Sequence, residues 1–449
     1  MCKSKSPWVG TILCSVLILT GIPKAFAGPH YVFAHYMVCF AAYGESVGGY
    51  KQEIQDAQAA GIDGFALNVG EWNGPDTYYK TRVEMIYEAA ESLTNGFKLF
   101  FSVDMPSTNT NDIVQMVSAY ANRTNSFYYN GKLVLSTYLG NGTDWTNGVL
   151  QPLQSQGINV FFIPGFSTEG GTWQQLPQYA IALVTKYGNL IDGLFDFLPA
   201  GLPGDIIFAD NAYLQACRGA GKLSMVACSP TYWGCTQPSA GRRYFESEGG
   251  LGIITQWQWI ITNQPDWVEI LTWNDLNEST YVLPLSQPGQ YDSSPPQRFS
   301  HAGYLALMKP YISWYKSGVE PAITRDGLYC FYRSHPTNAV ASNTNDIPVT
   351  QFFGPVQDAI YATTTLTAPA DLDVKSGNYT TNLSLPSGIS SLQIPFQPGA
   401  QNLVLRRKGK QVAAVSGPDV VTNIQYYDYF VASGYDYALS SPTNLRVAK

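Results

Sequence analysis

The chain is poor in charged residues and in histidine. Only 13% of its 449 residues are Asp, Glu, Lys or Arg, four are His, and the formal net charge is −7. Nucleic acids and anionic membrane surfaces bind proteins through clusters of Lys and Arg, so this balance argues against both as partners. Neither a CxxC pair nor an HExxH motif occurs. We therefore expect no metal site and no cofactor.

Long apolar runs are also absent, apart from one near the N-terminus. Lys3 and Lys5 precede the run at residues 8–22, and the sequence AFA at residues 25–27 has the pattern of a cleavage site. The run is short for a membrane span, which makes a membrane anchor the weaker alternative. We predict that residues 1–27 are a signal peptide and that the mature protein is secreted.

The cysteines and the sequons are compatible with a secreted protein. Five cysteines follow residue 27, an odd number that cannot pair completely. An oxidising compartment allows one or two disulfide bonds, and Cys228 with Cys235 is the pair we favour because only a short loop separates them. Sequons, which fit a glycoprotein, begin at Asn122, Asn141, Asn277, Asn378 and Asn382.

Aromatic residues are abundant where charges are scarce. The chain has 30 Tyr, 21 Phe and 10 Trp, more than an apolar core requires. Sugars stack their C–H faces on aromatic rings while their hydroxyls hydrogen-bond with polar groups. The composition therefore favours a carbohydrate partner.

Eight apolar runs of strand length recur through the first two thirds of the chain. They begin at Tyr31, Ile62, Phe97, Lys132, Asn159, Leu190, Lys222 and Val268. Apolar residues at helical spacing lie between them, as in residues 83–90. Strands that are apolar on both faces and alternate with helices predict an α/β fold, a (β/α)8 TIM-type barrel over residues 28–318. An open doubly wound sheet is the alternative, but no GxGxxG or Walker motif supports it.

The pattern changes after Gly318. Pro, Gly, Ser, Thr and Asn separate short alternating runs, and helical periodicity disappears. These runs begin at Gly327, Asp358, Asn402, Lys410 and Tyr426. We predict an accessory β-sandwich domain over residues 319–449.

Polar and aromatic residues follow the predicted barrel strands. In a parallel barrel the strand ends face one common opening, where active sites form. The residues at these positions are His35, Asn68, Asp104, Thr137, Asp196, Ser229, Tyr232, Trp233, Trp273, Asn274, Asp275 and Glu278. Two carboxyl groups flanking a cleft are the minimum for glycoside hydrolysis, because one protonates the leaving oxygen and the other activates water or attacks directly.

Asp275 and Glu278 lie three residues apart in LTWNDLNEST, directly after the eighth run. Carboxylates at the end of a buried strand are costly unless they are used. Asp104 or Asp196 is an alternative second carboxylate. A structural alternative is that Asp275 caps a helix and Glu278 completes its capping box. Asp104 as a turn residue and His35 as a core histidine are equivalent alternatives.

The motifs also resemble those of a known family, in the same order. They read VFAHYMV, EIQDAQAAGIDGFALNVG, KLFFSVDM, GKLVLSTYLG, VFFIPGF, DGLFDF, SPTYW, QPDWVEILTWNDLNES and HAGYLALMKPYISWYKSG. This series resembles the fungal α-1,3-glucanases, or mutanases, of glycoside hydrolase family 71. The resemblance implies a (β/α)8 catalytic domain, extracellular action on α-1,3-glucan of fungal cell walls, and hydrolysis with inversion. We expect a monomeric enzyme that cleaves internal bonds of its polysaccharide substrate.

The resemblance also implies roles for individual residues. Catalysis in that family rests on the Asp and Glu of a W-N-D-[YF]-G-E-S motif, which matches residues 273–279 here. Glu278 is then the general acid and Asp275 the general base. The resemblance places His35, Asn68 and Asp104 in the sugar subsite next to the scissile bond. We predict the further substrate-binding residues to be Tyr232, Trp233, Trp273 and Asn274.

Three positions depart from the family pattern. Leu276, Asn277 and Thr280 stand where the family usually has an aromatic residue, Gly and His. The missing Gly changes the backbone freedom expected of the loop, and Leu276 replaces an aromatic side chain that could line a subsite. Both carboxylates remain, so we expect activity. A glucan-binding protein without catalysis, or a barrel hydrolase with another linkage preference, are the rival interpretations.

Overall fold

A computed structural model gives the structure of the protein and describes residues 29–75, 77–167, 172–235, 242–285 and 299–438. The predicted signal peptide at residues 1–27 lies outside these ranges. None of the helices in these ranges combines the length and the apolar character needed to cross a bilayer.

Helices and strands alternate in the first part of the chain. In order they are β1 (Tyr31–Met37), α1 (Val47–Ala60), β2 (Gly64–Val69), α2 (Tyr78–Leu93), β3 (Lys98–Asp104), α3 (Thr110–Tyr120), β4 (Tyr128–Tyr129), β5 (Lys132–Tyr138), α4 (Gln151–Ser155), β6 (Val160–Gly165), α5 (Leu176–Tyr187), β7 (Gly193–Phe195), α6 (Pro203–Ala220), β8 (Leu223–Cys228), β9 (Tyr232–Trp233), β10 (Arg242–Phe245), α7 (Gly250–Asn263), β11 (Trp267–Ile270) and α8 (Ala302–Ser317). Short 3-10 helices at Met105–Ser107 and Trp173–Gln175 and a π-helix at Thr146–Leu150 complete this part.

Eight parallel strands form one sheet in the order β6-β5-β3-β2-β1-β11-β8-β7, and the short β4 pairs antiparallel with β5. A backbone hydrogen bond of 2.8 Å from Asp192 N, just before β7, to Phe162 O in β6 joins the two ends of this order. Each of the eight predicted runs overlaps one of the parallel strands. The mixed α/β architecture predicted from the alternation is confirmed.

Local residues explain where the first helix begins and ends. Ser46 caps α1, since its hydroxyl accepts from the N–H of Gly49 at 3.1 Å. Gly61 ends α1 in the left-handed region at φ 96°, which a side chain would disfavour. At Gly64, the first residue of β2, a Cβ would lie 2.2 Å from the carbonyl oxygen of Lys98. The two glycines therefore allow the sharp turn and the close approach of β2 to β3.

The parallel strands bury both faces. One face forms an apolar cluster that includes Phe33, Ala66, Phe100, Val134, Phe195, Met225 and Trp267. The other face packs against the helices. Because side chains alternate along a strand, residues two or four positions after a cluster member lie on the cluster side. These are His35, Asn68, Asp104, Tyr138 and Glu269, so a polar layer follows the apolar layer toward the carboxyl ends of the strands.

The rest of the chain consists of β-strands, which form two antiparallel sheets and contribute β13 to a small mixed sheet. Its strands are β12 (Gly327–Arg333), β13 (Val349–Phe353), β14 (Ala359–Leu366), β15 (Ala370–Ser376), β16 (Tyr379–Leu385), β17 (Gly388–Pro395), β18 (Gly399–Arg407), β19 (Lys410–Val420) and β20 (Val431–Tyr437). Two four-stranded sheets have the orders β17-β14-β12-β20 and β16-β15-β18-β19, and a small sheet has the order β13-β10-β9. The side chain of Ser433 in β20 accepts from Gly303 N at 3.2 Å, so α8 packs directly on this part.

Candidate active site

Asp275 and Glu278 lie in the turn after β11, at the carboxyl end of the parallel sheet. Asp275 is only 8% exposed, and its Oδ1 accepts from the backbone N–H groups of Asn277 and Glu278, both at 2.9 Å. The hydroxyl of Thr272 accepts from Asp275 N at 2.8 Å. Asp275 therefore holds the turn in the manner of a helix cap. However, residues 276–285 contain no helix, so the capping-box alternative is wrong.

The carboxyl group of Glu278 has a fixed partner. The hydroxyl of Tyr232 donates to Glu278 Oε1 at 2.9 Å, and Arg243 Nη2 donates to the same hydroxyl at 3.2 Å. Burial and the nearby Glu278 charge raise the pKa of Tyr232, so the phenol stays protonated and can donate. Tyr232 thus contacts a predicted catalytic residue and orients its carboxyl group.

His35 and Glu269 form a buried pair in the polar layer. His35 Nδ1 lies 2.7 Å from Glu269 Oε1, and neither side chain is exposed. Burial raises the pKa of Glu269, while the hydrogen bond with His35 opposes this shift. The other atoms of the pair, His35 Nε2 and Glu269 Oε2, have no hydrogen-bond partner among the described residues. The ring of His35 also packs edge-on against Phe197, at 4.9 Å between centroids.

Asp104 is the last residue of β3, at the carboxyl end of the parallel sheet. Burial raises the pKa of Asp104, and Ser107 donates to its Oδ2 at 3.1 Å. Burial is the main cause of the raised pKa of Tyr138, and the charges of Glu278 and Asp104 both add to it. Burial likewise raises the pKa of Cys39 to about 12, with contributions from Asp275 and Asp104. The charge of Asp104 thus acts on the same two residues as the predicted pair, on Tyr138 together with Glu278 and on Cys39 together with Asp275.

Asn68 is the second-last residue of β2, which lies between two strands that also carry site residues. It is a register partner of Met37 in β1 and of Ser102 in β3, and its side chain is nearly buried. The structure thus brings His35, Asn68 and Asp104 to the same ends of three adjacent strands, as their positions after apolar runs predicted.

Trp273 and Asn274 are placed differently from our expectation that they bind sugar. The indole of Trp273 is fully buried and donates to Glu53 Oε2 in α1 at 2.8 Å. Asn274 is also buried, and its Oδ1 accepts from Met37 N at 2.7 Å while its Nδ2 donates to Met37 O at 3.1 Å. Neither side chain offers surface to a ligand here. Both fix the β11 turn against β1 and α1.

Trp233 departs from the same expectation. Its side chain is fully buried and meets the ring of Phe430 edge-on, at 5.0 Å between centroids. Its backbone N–H donates to the carbonyl oxygen of Glu278 at 2.9 Å. Trp233 therefore attaches the turn to the C-terminal sheets, and its ring cannot serve as a sugar platform in this structure.

Comparison with known proteins identifies the family. The profile described as Glycosyl hydrolase family 71 matches residues 28–440. The chain belongs to glycosyl hydrolase family 71. It is 31% identical over 445 residues to glucan endo-1,3-alpha-glucosidase agn1 of Schizosaccharomyces pombe, with 95% of this chain and 99% of that protein covered. It is 29% identical over 449 residues to a mutanase of Penicillium rubens, with 94% and 95% covered.

A third relative is the ascus wall endo-1,3-alpha-glucanase of Schizosaccharomyces pombe, which is 27% identical over 388 residues and covers 81% of this chain and 86% of its own length. The family resemblance inferred from the motifs is confirmed. The chain is thus an enzyme, a glycoside hydrolase.

The three departures from the family 71 motif are accommodated by packing. Leu276 is buried, so it belongs to the core and does not line a subsite. The carbonyl oxygen of Asn277 accepts from the N–H and the thiol of Cys235. Thr280 pairs its hydroxyl with that of Thr272 at 3.1 Å. The residue with positive φ in this turn is Ser279, at 59°, and not Asn277. The turn therefore does not need glycine at residue 277.

Three residues beside the candidate site were not among the residues selected from the sequence, namely Tyr138, Glu269 and Arg243. Thr137 was chosen on β5, but its hydroxyl donates to Leu139 O, whereas the neighbouring Tyr138 lies on the cluster side. Tyr138 lies four residues after Val134 on the same strand, so the alternation of side chains predicts that both face the same side. Glu269 was passed over, although a Glu inside the apolar run WVEI is itself a signal. Arg243 lies in β10, and no feature of the sequence around it marks it as a site residue.

Asp196 is not the second carboxylate of the site. It follows Phe195, which belongs to the apolar cluster, so alternation turns Asp196 toward the helix side of the sheet. There it is almost fully buried and hydrogen-bonds with Asp210 in α6. Burial raises the pKa of both carboxyls, and the charge of Asp196 raises that of Asp210 further. Burial therefore favours the protonated form of both carboxyl groups.

The predicted disulfide between Cys228 and Cys235 is wrong. The five cysteines in the described part of the chain form no disulfide bond with one another. Cys228 ends β8 inside the parallel sheet, where it pairs in register with Ile270 of β11. Cys235 instead donates its thiol to the carbonyl of Asn277 at 3.1 Å. Closeness in sequence therefore did not bring the two sulfur atoms together.

The variant Tyr232→Phe tests the orientation of Glu278. It keeps the ring and removes the hydroxyl that donates to Oε1. We expect kcat to fall by up to about tenfold, because a hydrogen bond to a protonated carboxyl group contributes about 0.5–1.5 kcal/mol. Thermal unfolding should change little, since the packing is kept. Steady-state kinetics of parent and variant provide the measurement, and an unchanged kcat would show that the hydroxyl does not position the acid.

Buried carboxyls predict how stability depends on pH. Burial raises the pKa of Glu53 from 4.5 to about 8, against the opposing hydrogen bonds from Trp273 and Tyr36. The native state therefore binds more protons than the unfolded state between these values, and the free energy of unfolding falls as the pH rises through this window. Asp196 acts in the same direction.

The variant Glu53→Gln should flatten this pH dependence while keeping an acceptor for the Trp273 indole. The slope should decrease by up to about 1.4 kcal/mol per pH unit. Urea unfolding at a series of pH values on both sides of neutrality provides the measurement. A slope identical to that of the parent would mean that Glu53 does not hold its proton in the native state.

Proposed function

We propose that this glycoside hydrolase cleaves internal α-1,3-glucosidic bonds of fungal cell-wall α-glucan. Cleavage inverts the configuration of the anomeric carbon. One observation carries the proposal: Asp275 and Glu278 share a rigid turn at the carboxyl end of the parallel sheet, beside the polar layer of the strands. The names of the relatives, which include two endo-1,3-α-glucanases and a mutanase, support this linkage.

Glu278 acts as the general acid and Asp275 as the general base. Glu278 donates its proton to the glycosidic oxygen as the bond to the anomeric carbon breaks. Asp275 accepts a proton from a water molecule, whose oxygen attacks the anomeric carbon from the opposite face. The two backbone N–H groups at Asp275 Oδ1 support this assignment, because they favour an ionised carboxylate. The product is then the β-anomer.

His35, Asn68 and Asp104 bind the sugar next to the scissile bond. Each can exchange hydrogen bonds with sugar hydroxyls, and the unpartnered His35 Nε2 and Asp104 Oδ1 are suited to this. Glu269 holds the ring of His35 through its contact at 2.7 Å.

The wider architecture follows from the same proposal. The parallel strands close into a complete (β/α)8 barrel over residues 28–318, and residues 319–449 form an accessory β-sandwich. The hydrogen bond that links Asp192 to Phe162 supports closure between β6 and β7. The protein is secreted, acts on the cell wall and works as a monomer.

A panel of glucans tests the proposed function. The purified protein is incubated with insoluble α-1,3-glucan, α-1,4-glucan and β-1,3-glucan, and new reducing ends are measured over time. We expect release from α-1,3-glucan alone, with oligosaccharides as early products. Release from another glucan would overturn the proposed linkage, and binding to α-1,3-glucan without release would indicate a glucan-binding protein.

A further inference from the structure

A large cavity lies between α8 and the C-terminal sheets, away from the candidate active site. Its volume is ≈ 540 Å³, within the range of about 300–1,000 Å³ that small-molecule sites occupy. Contacts at the C-terminal end of α8 show where the cavity lies. Lys316 donates to Asp63 at 2.6 Å, and Tyr315 lies 3.2 Å from His30. Asp63 and His30 precede β2 and β1. The cavity is therefore toward the amino ends of the strands, opposite Asp275.

The walls of the cavity are aromatic and apolar. Trp314 of α8 is half-buried, and the tyrosines Tyr329 and Tyr437 come from β12 and β20. The two tyrosine hydroxyls are hydrogen-bonded at 3.1 Å, which fixes these rings relative to each other. Ile389 of β17 lies at the mouth and is 48% exposed. Trp314, Tyr329 and Tyr437 thus give the cavity an aromatic lining.

Polar groups complete the cavity. Tyr311 is only 4% exposed, and its hydroxyl has no hydrogen-bond partner among the described residues. An orphaned buried hydroxyl is costly, and a ligand with hydroxyl groups could satisfy it. Lys309, Glu320 and Arg325 are exposed lining residues. The guanidinium of Arg325 stacks on the ring of Tyr437 at 3.5 Å.

These features select a neutral ligand with both polar and apolar faces. The lining charges have both signs, so neither an anion nor a cation is clearly favoured. A hydrocarbon would leave the hydroxyl of Tyr311 without a partner. A sugar instead stacks its C–H face on a ring and offers hydroxyls as donors and acceptors. Sugar units therefore match this lining better than the other ligand classes.

We propose that this cavity is a second glucan-binding site, which takes a short stretch of neutral polysaccharide chain. The identity of the glucan rests on the proposed function. A second contact with an insoluble polymer raises the effective concentration of substrate at the catalytic site. The cavity then increases binding and turnover on insoluble glucan and has no effect on short soluble substrates, which cannot span both sites.

Binding to insoluble α-1,3-glucan tests the inference in an inactive Glu278→Gln background. Two added substitutions alter the cavity: Trp314→Ala removes a ring wall, and Ile389→Arg blocks the mouth from an exposed position. Tyr379→Ala is the matched control, an exposed aromatic residue on β16 outside the cavity. We expect the two cavity variants to bind about tenfold more weakly and the control to bind unchanged. Thermal unfolding checks that Trp314→Ala is folded.

The cavity substitutions are also placed in the active protein. Hydrolysis of a soluble α-1,3-linked glucotriose should be unchanged, while hydrolysis of insoluble glucan decreases. If Ile389→Arg binds insoluble glucan as tightly as the Tyr379→Ala control, the inference is overturned, whatever the parent hydrolyses. If the parent hydrolyses no α-1,3-glucan but the cavity variants still bind it more weakly, the proposed activity fails and the second site stands.

Discussion

Replacing Glu278 by Gln is expected to lower kcat on α-1,3-glucan by about 10³-fold, within the range of 10²–10⁴ for general acid catalysis. The amide cannot give a proton to the glycosidic oxygen. Its oxygen can still accept from Tyr232, so the turn should keep its geometry. Asp275→Asn should cause a similar loss, because its oxygen still accepts two N–H groups while the amide no longer removes a proton from water.

Reducing-end assays on insoluble glucan measure both losses. Glu88→Gln is a matched control, since Glu88 is an exposed residue of α2 on the outside of the sheet. It should retain the activity of the parent. If either carboxamide variant keeps more than about a tenth of the parent kcat, that residue is not an acid or base of the reaction.

Replacing Trp273 by Ala is expected to lower the free energy of unfolding by about 3–5 kcal/mol. The indole is fully buried, and its loss creates a cavity between the sheet and α1. It also leaves Glu53 without one of its two donors. Trp273→Phe keeps most of the volume and should lose about 1–3 kcal/mol through the unpaired carboxyl oxygen.

Denaturant unfolding of both variants tests whether Trp273 stabilises the fold by packing or instead binds sugar. Trp173→Ala is the control, because its indole is 42% exposed and its loss should change stability by about 0.5 kcal/mol or less. A Trp273→Ala protein with the stability of the parent and a higher KM for glucan would restore the original expectation that Trp273 contacts the substrate.

The order of strands and helices could be predicted because each element has its own local signal in the sequence. Each parallel strand carries its own apolar run, and a glycine such as Gly61 or a cap such as Ser46 marks where a helix ends or begins. Pairings between distant segments carry no such signal. The contact of Ser433 with α8 and the small sheet that joins β10 to β13 depend on chain segments far apart in sequence.

The candidate site could be predicted in part. His35, Asn68 and Asp104 combine a polar residue with a position at a strand end, and both features are visible in the sequence. Trp273 shares the position but turns toward α1, because Glu53 offers its indole a buried acceptor. That partner lies 220 residues away and could not be inferred from spacing. The same applies to Arg243, which donates to the hydroxyl of Tyr232, and this hydroxyl donates to Glu278.

The anomeric form of the first product tests the central claim most directly. The purified parent is incubated with a soluble α-1,3-linked oligosaccharide, and the anomeric protons are followed by NMR from the first minutes, before mutarotation. We predict that the β-anomer forms first and that Asp275→Asn and Glu278→Gln release neither anomer. Initial release of the α-anomer would contradict a mechanism in which Asp275 activates water and Glu278 protonates the leaving oxygen.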